Sequence, residues 1–558
     1  MGSGIRTASY GAQESEPGHW DYIVIGAGSS GCVMAEKLSA DGKSRVLVLE
    51  AGGEDNFWNR LPKGVAKLVK DPRKIWLYQV TQPRETGSDA AEFWIRGKGV
   101  GGSSSVNGMI WSRGEPADYD AWESRHGATG WNAGSMTQAL NALEDHADGA
   151  GRFSGSGGPV HVDPQVHSHP LAARMIEAGA ALGLRPVRDL NAQTGPRVGL
   201  YSHNIKRGLR QSAAGTFLAP ARHRPNVEVI TGAAVQRVVV ADGRASAVDA
   251  SISGRSRRFS CAGEIILCTG ALETPLLLQR SGIGDGASLH RAGVAPLIAL
   301  PDVGRHMSEH LSLSMPYRLR GSGAAQLGVH RSLTGTGKYL AMLRWATRRD
   351  GIMATGPFEV GAFDNVHHAD GRVDAQYYLG AYSFAVGSDN DPVPLDRIDP
   401  RPGLTILGSL LRLTSKGSLH ITGPDAGDAP VIEPNFLATQ HDQESAVALV
   451  RRMRRFVHAP PLGRHVGTEE VPGRAVASDA DILAAFRRLS SCGLHATGTC
   501  RMGSDAASVV DPRLRVRGLE RLRIVDCSVI PGHVTGNTNA PAMALAWRAA
   551  QLVLDDRP

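Results

Sequence analysis

Between Asp21 and Gly53 the chain carries a segment that leaves little choice of fold. Asp21-Tyr-Ile-Val-Ile25 is a short, β-branched apolar run of the kind that forms a buried parallel strand. Gly26-Ala-Gly28-Ser29-Ser30-Gly31 follows with no linker, Cys32 to Leu38 places apolar residues at helical spacing, and Val46-Leu-Val-Leu49 is a second strand-like run ending in Glu50. The order is strand, glycine turn, helix, strand, acid, with the acid about 20 residues past the turn.

Each residue type answers a physical requirement. Gly26 permits the tight turn, Gly28 lets the main chain approach a pyrophosphate, and Gly31 lets the helix pack closely on the sheet. The helix N-terminus offers free N–H groups and positive dipole to phosphate, while Glu50 can accept from ribose hydroxyls. A lone G-x-G-x-x-G is a weak signal; flanked by both strands and the acid it reads as a dinucleotide-binding unit, with NAD and FAD both open on these residues alone.

A chain of 558 residues exceeds what one core usually holds, so two domains are expected. Hydrophobic content of 42% and charged content of 21% are those of a soluble globular protein. The net charge of +7 comes from scattered arginines, with clusters at Arg255 to Arg258 and Arg451 to Arg455. No nucleic-acid recognition motif accompanies them, so they read as solvated surface. No run of about 18 apolar residues exists, which argues against an integral membrane segment. Residues 1–19 are polar and lack the apolar stretch of a secretory signal; a disordered leader is expected. Six cysteines, most in apolar runs (Cys32, Cys261, Cys268, Cys527), suit buried thiols in a reducing, cytoplasmic setting, and no pair has metal-ligand spacing.

A second conspicuous stretch runs Arg96-Gly-Lys-Gly99-Val-Gly-Gly-Ser103-Ser-Ser-Val-Asn107-Gly108-Met109-Ile110-Trp-Ser-Arg-Gly114, followed by Asp118-Tyr-Asp-Ala-Trp122. Its glycines and serines supply close-range N–H groups and hydroxyls, as phosphates and a planar heteroaromatic ring require. A flexible linker is excluded because Val106, Met109, Ile110 and Trp111 continue directly into apolar sequence. Further along, Asn226 to Ile230, Ala234 to Val240 and Ala247 to Ile252 read as strands, the last two a hairpin turning at Asp242-Gly243. Glu264 to Cys268 and Leu522 to Asp526 read as buried strands, Arg372 to Leu379 alternates, and Gly417 to Ile421 looks like a sheet edge.

The two glycine-rich units together resemble the glucose-methanol-choline (GMC) family of FAD-dependent oxidoreductases. The likeness continues through Gly270-Ala-Leu-Glu-Thr-Pro-Leu-Leu-Leu-Gln-Arg-Ser-Gly-Ile-Gly284, Leu300-Pro-Asp-Val-Gly-Arg-His-Met-Ser-Glu-His310, His495-Ala-Thr-Gly-Thr-Cys-Arg-Met-Gly503 and Asn537-Thr-Asn-Ala-Pro541, in the family's order. The resemblance implies a mixed α/β fold, with a Rossmann-like FAD-binding domain on a parallel sheet (20–160, 205–312 and 490–558) and a substrate domain on an antiparallel sheet (161–204 and 313–489). It assigns FAD contacts to Gly26, Gly28, Ser29, Ser30, Gly31, Glu50, Ala51, Trp76, Arg96, Gly99, Ser103, Asn107, Gly108, Met109, Ile110, Val235, Leu494, Asp526, Cys527 and Thr538. Val235 falls at the adenine end, Asp526 at the ribityl chain and Asn107 near flavin N5. Gln376, Tyr378, Tyr382 and Phe384 are candidates for the substrate pocket, with ordinary core packing as the alternative.

Oxidising an alcohol needs a base for the hydroxyl proton, and neutral histidine suits because its ordinary pKa, about 6.5, lies near working pH. Most of the twenty histidines must be structural. His495 sits in a glycine-bounded loop, and the family motif makes it the base, with hydride passing to flavin N5. Asn537 occupies the second family position, where an amide can donate to the substrate oxygen. The cap of the last helix, Ala542 to Leu554, is expected to be Asn539, with Pro541 in the first turn. Where some members tether FAD through a histidine, this chain reads Ser104-Ser105-Val106-Asn107, so noncovalent FAD is expected. The reaction expected is oxidation of a small-molecule alcohol to an aldehyde or ketone, with O₂ or another oxidant as final acceptor. A redox-neutral hydroxynitrile lyase and a light-driven fatty-acid decarboxylase are the alternatives on the same fold.

Overall fold

The glycine unit takes the expected form. A computed structural model describes residues 20–80, 92–164, 169–367, 370–386 and 397–557; the expected leader lies outside them. Strand β1 (Trp20–Ile25), helix α1 (Ser29–Leu38) and strand β2 (Val46–Glu50) follow one another, with β2 buried along its whole length. β1 lies parallel between β2 and the strand Arg255–Leu267, and β2 pairs in parallel with Val227–Thr231. Near-continuous apolar runs are what a strand covered on both faces requires.

The sheet has seven strands. Beyond Arg255–Leu267 it continues antiparallel through Arg244–Ile252 and Ala233–Ala241, while Leu522–Ile524 pairs in parallel with Arg255–Leu267. At the hairpin, Asp242 and Gly243 have φ of 49° and 73°, the left-handed pair that a two-residue turn demands. Gly31 shows why a glycine must follow the turn: a Cβ there would stand 1.9 Å from the carbonyl oxygen of Gly26. Gly26 itself turns at φ +93°.

A second, eight-stranded sheet is built mainly from later sequence. Its order is Val466–Glu469, Leu311–Leu319, Gly403–Leu410, Ala375–Gly380, Val360–Asp364, Arg197–Leu200 and Arg185–Asp189, with Ser491–Cys492 also on Leu311–Leu319. It is antiparallel except for Arg185–Asp189 on Arg197–Leu200. The fold is therefore mixed α/β, with each sheet carrying its own apolar core.

Two sequence expectations are corrected and a third is located. The run from Arg372 starts as strand only at Ala375, because Arg372 turns aside to the Asp118 carboxylate (3.2 Å). The sheet edge expected at Gly417 to Ile421 is Ser418–His420, which pairs with Val431–Glu433 in a two-stranded ribbon separate from the large sheet. The last helix spans Asn539–Asp555, with Thr538 rather than Asn539 at its cap position, since the Asn539 side chain is taken by the Ser29 hydroxyl (2.8 Å). Among the described residues no helix is long and apolar enough to cross a membrane.

Substituting Gly31→Ala forces a methyl group into main chain that cannot yield. It is expected to lower stability by about 1–3 kcal/mol as overpacking does. Denaturant unfolding of the variant against the parent checks this; a variant of unchanged stability would mean the turn relaxes freely.

Candidate functional site

Two uncapped helix N-termini meet at the glycine turn. Neither Gly28, at the start of α1, nor Thr538, at the start of the last helix, has a side-chain capping bond, and Ser29 Oγ donates to Asn539 Oδ1 between them. Ser30 Oγ donates to the Ala542 carbonyl (3.3 Å). Gly26, Gly28 and Ser29 stay half-buried at this point, and the Nδ2 of Asn539 is buried without a partner. Free N–H groups, converging helix dipoles and an unused amide donor form a cradle for an anionic bridge such as a pyrophosphate.

Glu50 does more than the fingerprint requires. Its carboxylate accepts from the main-chain N–H of Ala27 (2.8 Å), Gly52 (2.8 Å) and Gly99 (3.0 Å), so it clamps the glycine turn, its own strand end and the serine loop. Of about four lone-pair positions, one remains for a ribose hydroxyl. The loop is stitched further by Gly101 N–H to the Ala27 carbonyl (2.7 Å) and Val100 N–H to Gly53 (3.1 Å), while Gly232 N–H reaches Gly52 (2.9 Å), bringing the Val235 strand alongside half-buried Ala51. Asp526 likewise accepts from Gly270 N–H (2.9 Å), Thr274 Oγ1 (2.6 Å) and Ser528 N–H (2.8 Å), which fixes Cys527.

The remaining expected contacts form one connected wall. Trp76 pairs across its ribbon with Arg96 and carries Lys98 over its ring at 4.1 Å. Ser103 Oγ accepts from Gly97 N–H (3.1 Å). Asn107 Oδ1 accepts from Arg210 (2.8 Å) and Met109 N–H (3.0 Å), which holds Met109 at φ 61° and sets Gly108 against Pro357. Ile110 bridges to His203. Val106 is buried, an apolar side chain where a tether would need a nucleophile.

His495 and Asn537 come together from 42 residues apart: Asn537 Nδ2 lies 3.0 Å from His495 Nε2. The direction of this bond is set from behind. Tyr201 OH donates to the Tyr377 carbonyl (2.8 Å) and accepts from Gln376 Nε2 (3.0 Å); the same Nε2 donates to Asn537 Oδ1 (3.2 Å), and Gln376 Oε1 accepts from Tyr378 OH (3.0 Å). With its oxygen so engaged, Asn537 turns its NH₂ to His495, and Nε2 must be the acceptor. The proton of neutral His495 then sits on Nδ1, 3.0 Å from His310 Nδ1, to which it donates. Gln376 and Tyr378 thus support Asn537. Tyr382 OH donates to the Pro357 carbonyl (2.9 Å), and its ring meets Phe384 edge-on at 5.4 Å and stacks with Phe358 at 6.4 Å.

The surroundings keep these imidazoles neutral. His310 stacks on His533 with centroids 3.7 Å apart, and burial above all, then mutual repulsion, holds His310 well below the usual imidazole range. Burial does the same for His533, and for His495 with help from Arg96. Behind His495, Glu309 accepts its N–H at 2.7 and 2.9 Å and that of His310 at 2.8 Å. Burial pushes the Glu309 carboxyl up to about 7, against the pull of Arg96, 3.6 Å away. Leu494, immediately before His495, is exposed and left-handed at φ 64°. On the other side, Asp118 accepts Thr535 N–H (2.7 Å) and Arg412 (2.9 Å), so the Asn537 loop is tied to the serine-loop side and to the large sheet at once.

Family comparison agrees with this architecture across the chain. Residues 20–312 and 414–546 match the two models described as GMC oxidoreductase. The chain belongs to the GMC oxidoreductase family. FAD is the cofactor of this oxidoreductase, and the cradle above fits it. The GMC oxidoreductase is 34% identical to an alcohol dehydrogenase [acceptor] of Pseudomonas putida over 96% of each chain. It is 32% identical to an oxygen-dependent choline dehydrogenase of Vibrio vulnificus, over 97% of this chain and 95% of that one. Among solved structures, pyridoxine 4-oxidase from Mesorbium loti superposes with a TM-score of 0.86 at 30% identity, covering 97% of this chain and 100% of that one.

The sequence reading missed Glu309, His310 and His533 as part of the site, although Glu309 and His310 end a stretch already quoted for its likeness and His533 stands four residues before Asn537 in Gly532-His-Val-Thr-Gly-Asn537. The pairing of Leu311–Leu319 with Ser491–Cys492, extended by the Ser308–Thr497 bridge, brings Glu309 and His310 to His495, and His533 joins by stacking on His310.

These four buried groups predict acid lability. Below about pH 6.5 the three histidines bind protons when unfolded but not when folded, which favours unfolding; Glu309, with its folded value near 7, binds one when folded and opposes them. The balance is about two more protons on the unfolded chain, so from about pH 6.5 to 4.5 these groups are expected to remove up to about 3 kcal/mol per pH unit. Equilibrium unfolding across that range measures it; stability that stays level on acidification would contradict neutral burial.

Proposed function

We propose that this enzyme oxidises an alcohol to an aldehyde or ketone, with His495 as the base and Asn537 as its partner at the substrate oxygen. The observation that carries the reading is the direction of the hydrogen-bond chain, which leaves Nε2 of a neutral His495 as an acceptor beside an N–H of Asn537. An alcohol oxygen at that spot accepts from Asn537 while its proton passes to Nε2. Bound FAD supplies the acceptor for the electron pair and the carbon-bound hydrogen that the alcohol loses. Arg96, whose buried Nη2 makes no hydrogen bond and lies 3.6 Å from Glu309, adds positive charge where negative charge develops. The stacked Tyr201 and Tyr378, with Phe358 against Tyr378, give the pair an aromatic flank suited to an apolar part of the substrate.

Noncovalent attachment of FAD follows from Val106, and acid precipitation is expected to release the yellow chromophore into the supernatant. Colour retained by the pellet would refute it.

His495→Ala is expected to slow anaerobic flavin reduction by alcohol about 10²–10⁴-fold, and Asn537→Ala by the equivalent of about 2–4 kcal/mol. Because both act on one developing alkoxide, the double variant is expected to lose less than the product of the single effects. Stopped-flow bleaching of flavin reads all three. A His495→Ala enzyme that keeps its FAD and bleaches at the parent's rate would remove the base from this position, and a parent that no alcohol bleaches would favour redox-neutral chemistry.

A further inference from the structure

The helix Gly335–Arg348, away from the site just described, turns apolar side chains to solvent. Tyr339, Leu340 and Leu343 are 76%, 67% and 61% exposed, and their spacing sets them side by side. The opposite side already anchors the helix: Trp345 is buried with its Nε1 donating to the Gly208 carbonyl (2.7 Å), and Ala341 and Met342 pack on the core of the large sheet. Exposed aromatic surface continues along its flank, where Phe57 meets Trp345 edge-on at 5.6 Å and Trp58 meets Phe57 at 5.2 Å.

Charge along the helix and its approach is cationic as far as Arg349, while on the Phe57 flank exposed Glu54 is paired with Arg222. From Leu311 to Arg349 the chain has seven lysines and arginines and no aspartate or glutamate. Arg331, Lys338, Arg344 and Arg348 are exposed on the helix and its approach, and Arg60 and Lys67 are exposed beside Phe57. The first acid, Asp350, is occupied by Arg344 at 2.6 Å. An exposed apolar stripe with aromatic neighbours and a cationic rim has the make-up of a helix lying in a lipid interface, its leucines at the acyl boundary and its cations at anionic headgroups. A second copy fits less well, because a two-fold contact through this stripe sets the cations of one copy against those of the other.

We propose that this face docks the protein on an anionic lipid surface. The segment that follows carries Pro357 against Gly108 and Phe358 against Tyr378, with ring centroids 5.5 Å apart, so the docking face and the catalytic surroundings share one stretch of chain. The test is sedimentation of full-length, FAD-loaded protein with vesicles of phosphatidylcholine alone and of phosphatidylcholine mixed with phosphatidylglycerol. Binding is expected to the mixed vesicles, weaker to the neutral ones, and to fall with added salt. The pairs Leu340→Glu/Leu343→Glu and Lys338→Glu/Arg348→Glu are each expected to lower the partition coefficient at least about tenfold, with unchanged flavin content and melting temperature because all four positions are exposed. A parent that does not sediment with the anionic vesicles overturns the proposal. So does equal binding by the variants, or light scattering that shows a dimer dissociated by Leu340→Glu/Leu343→Glu, which assigns the face to a second copy.

Discussion

A single main-chain carbonyl, that of Tyr377, sets the polarity of the His495–Asn537 pair. It can only accept, so Tyr201 must donate to it, Gln376 to Tyr201 and to Asn537, Asn537 to His495, and His495 to His310. Reversing any one bond would leave two donors or two acceptors facing each other in a buried place, a cost of the order of a lost hydrogen bond or more. Because Tyr377 is fixed in the middle of the large sheet, between Val360–Asp364 and Gly403–Leu410, the tautomer of His495 is decided by strand register. A one-residue slip would point Gln376 and Tyr378 to the other face and undo it.

What the sequence made legible was local. The β1–α1–β2 unit and the Asp242-Gly243 hairpin rest on spacing and turn chemistry that act within a few tens of residues, whereas His495 and Asn537 were singled out by the family resemblance. The Gly31 requirement is of this kind, since the clash it avoids lies only five residues back, at Gly26. Partners drawn from distant strands were not legible. Nothing near Asp118 in the chain announces Arg372, Arg412 and Thr535, and nothing in the Glu309-His310 run distinguishes it from a surface polar turn until the sheet closes over it. Asn539 was misread as a helix cap for the same reason: its true partner, Ser29, lies at the other end of the chain.

The two best-placed acids are constructional before they are functional. Glu50 and Asp526 each gather three donors from separated segments, so the cradle is shaped before a cofactor arrives and carries its remaining acceptor positions already aimed. Near His495 the reverse holds: histidines and an acid are buried at a cost in solvation, tolerable because neutral forms dominate and main-chain N–H groups share the burden.

The bond from Ser29 to Asn539 spans 510 residues. During synthesis at about 5–20 residues per second, roughly 25–100 s separate the appearance of α1 from that of the helix that completes its phosphate end. Through that interval the N-terminal strand pair waits with its apolar faces incompletely covered, while every strand of the large sheet, the last being Ser491–Cys492, is made before Asn539. The nucleotide half, first to leave the ribosome, is therefore the last to close.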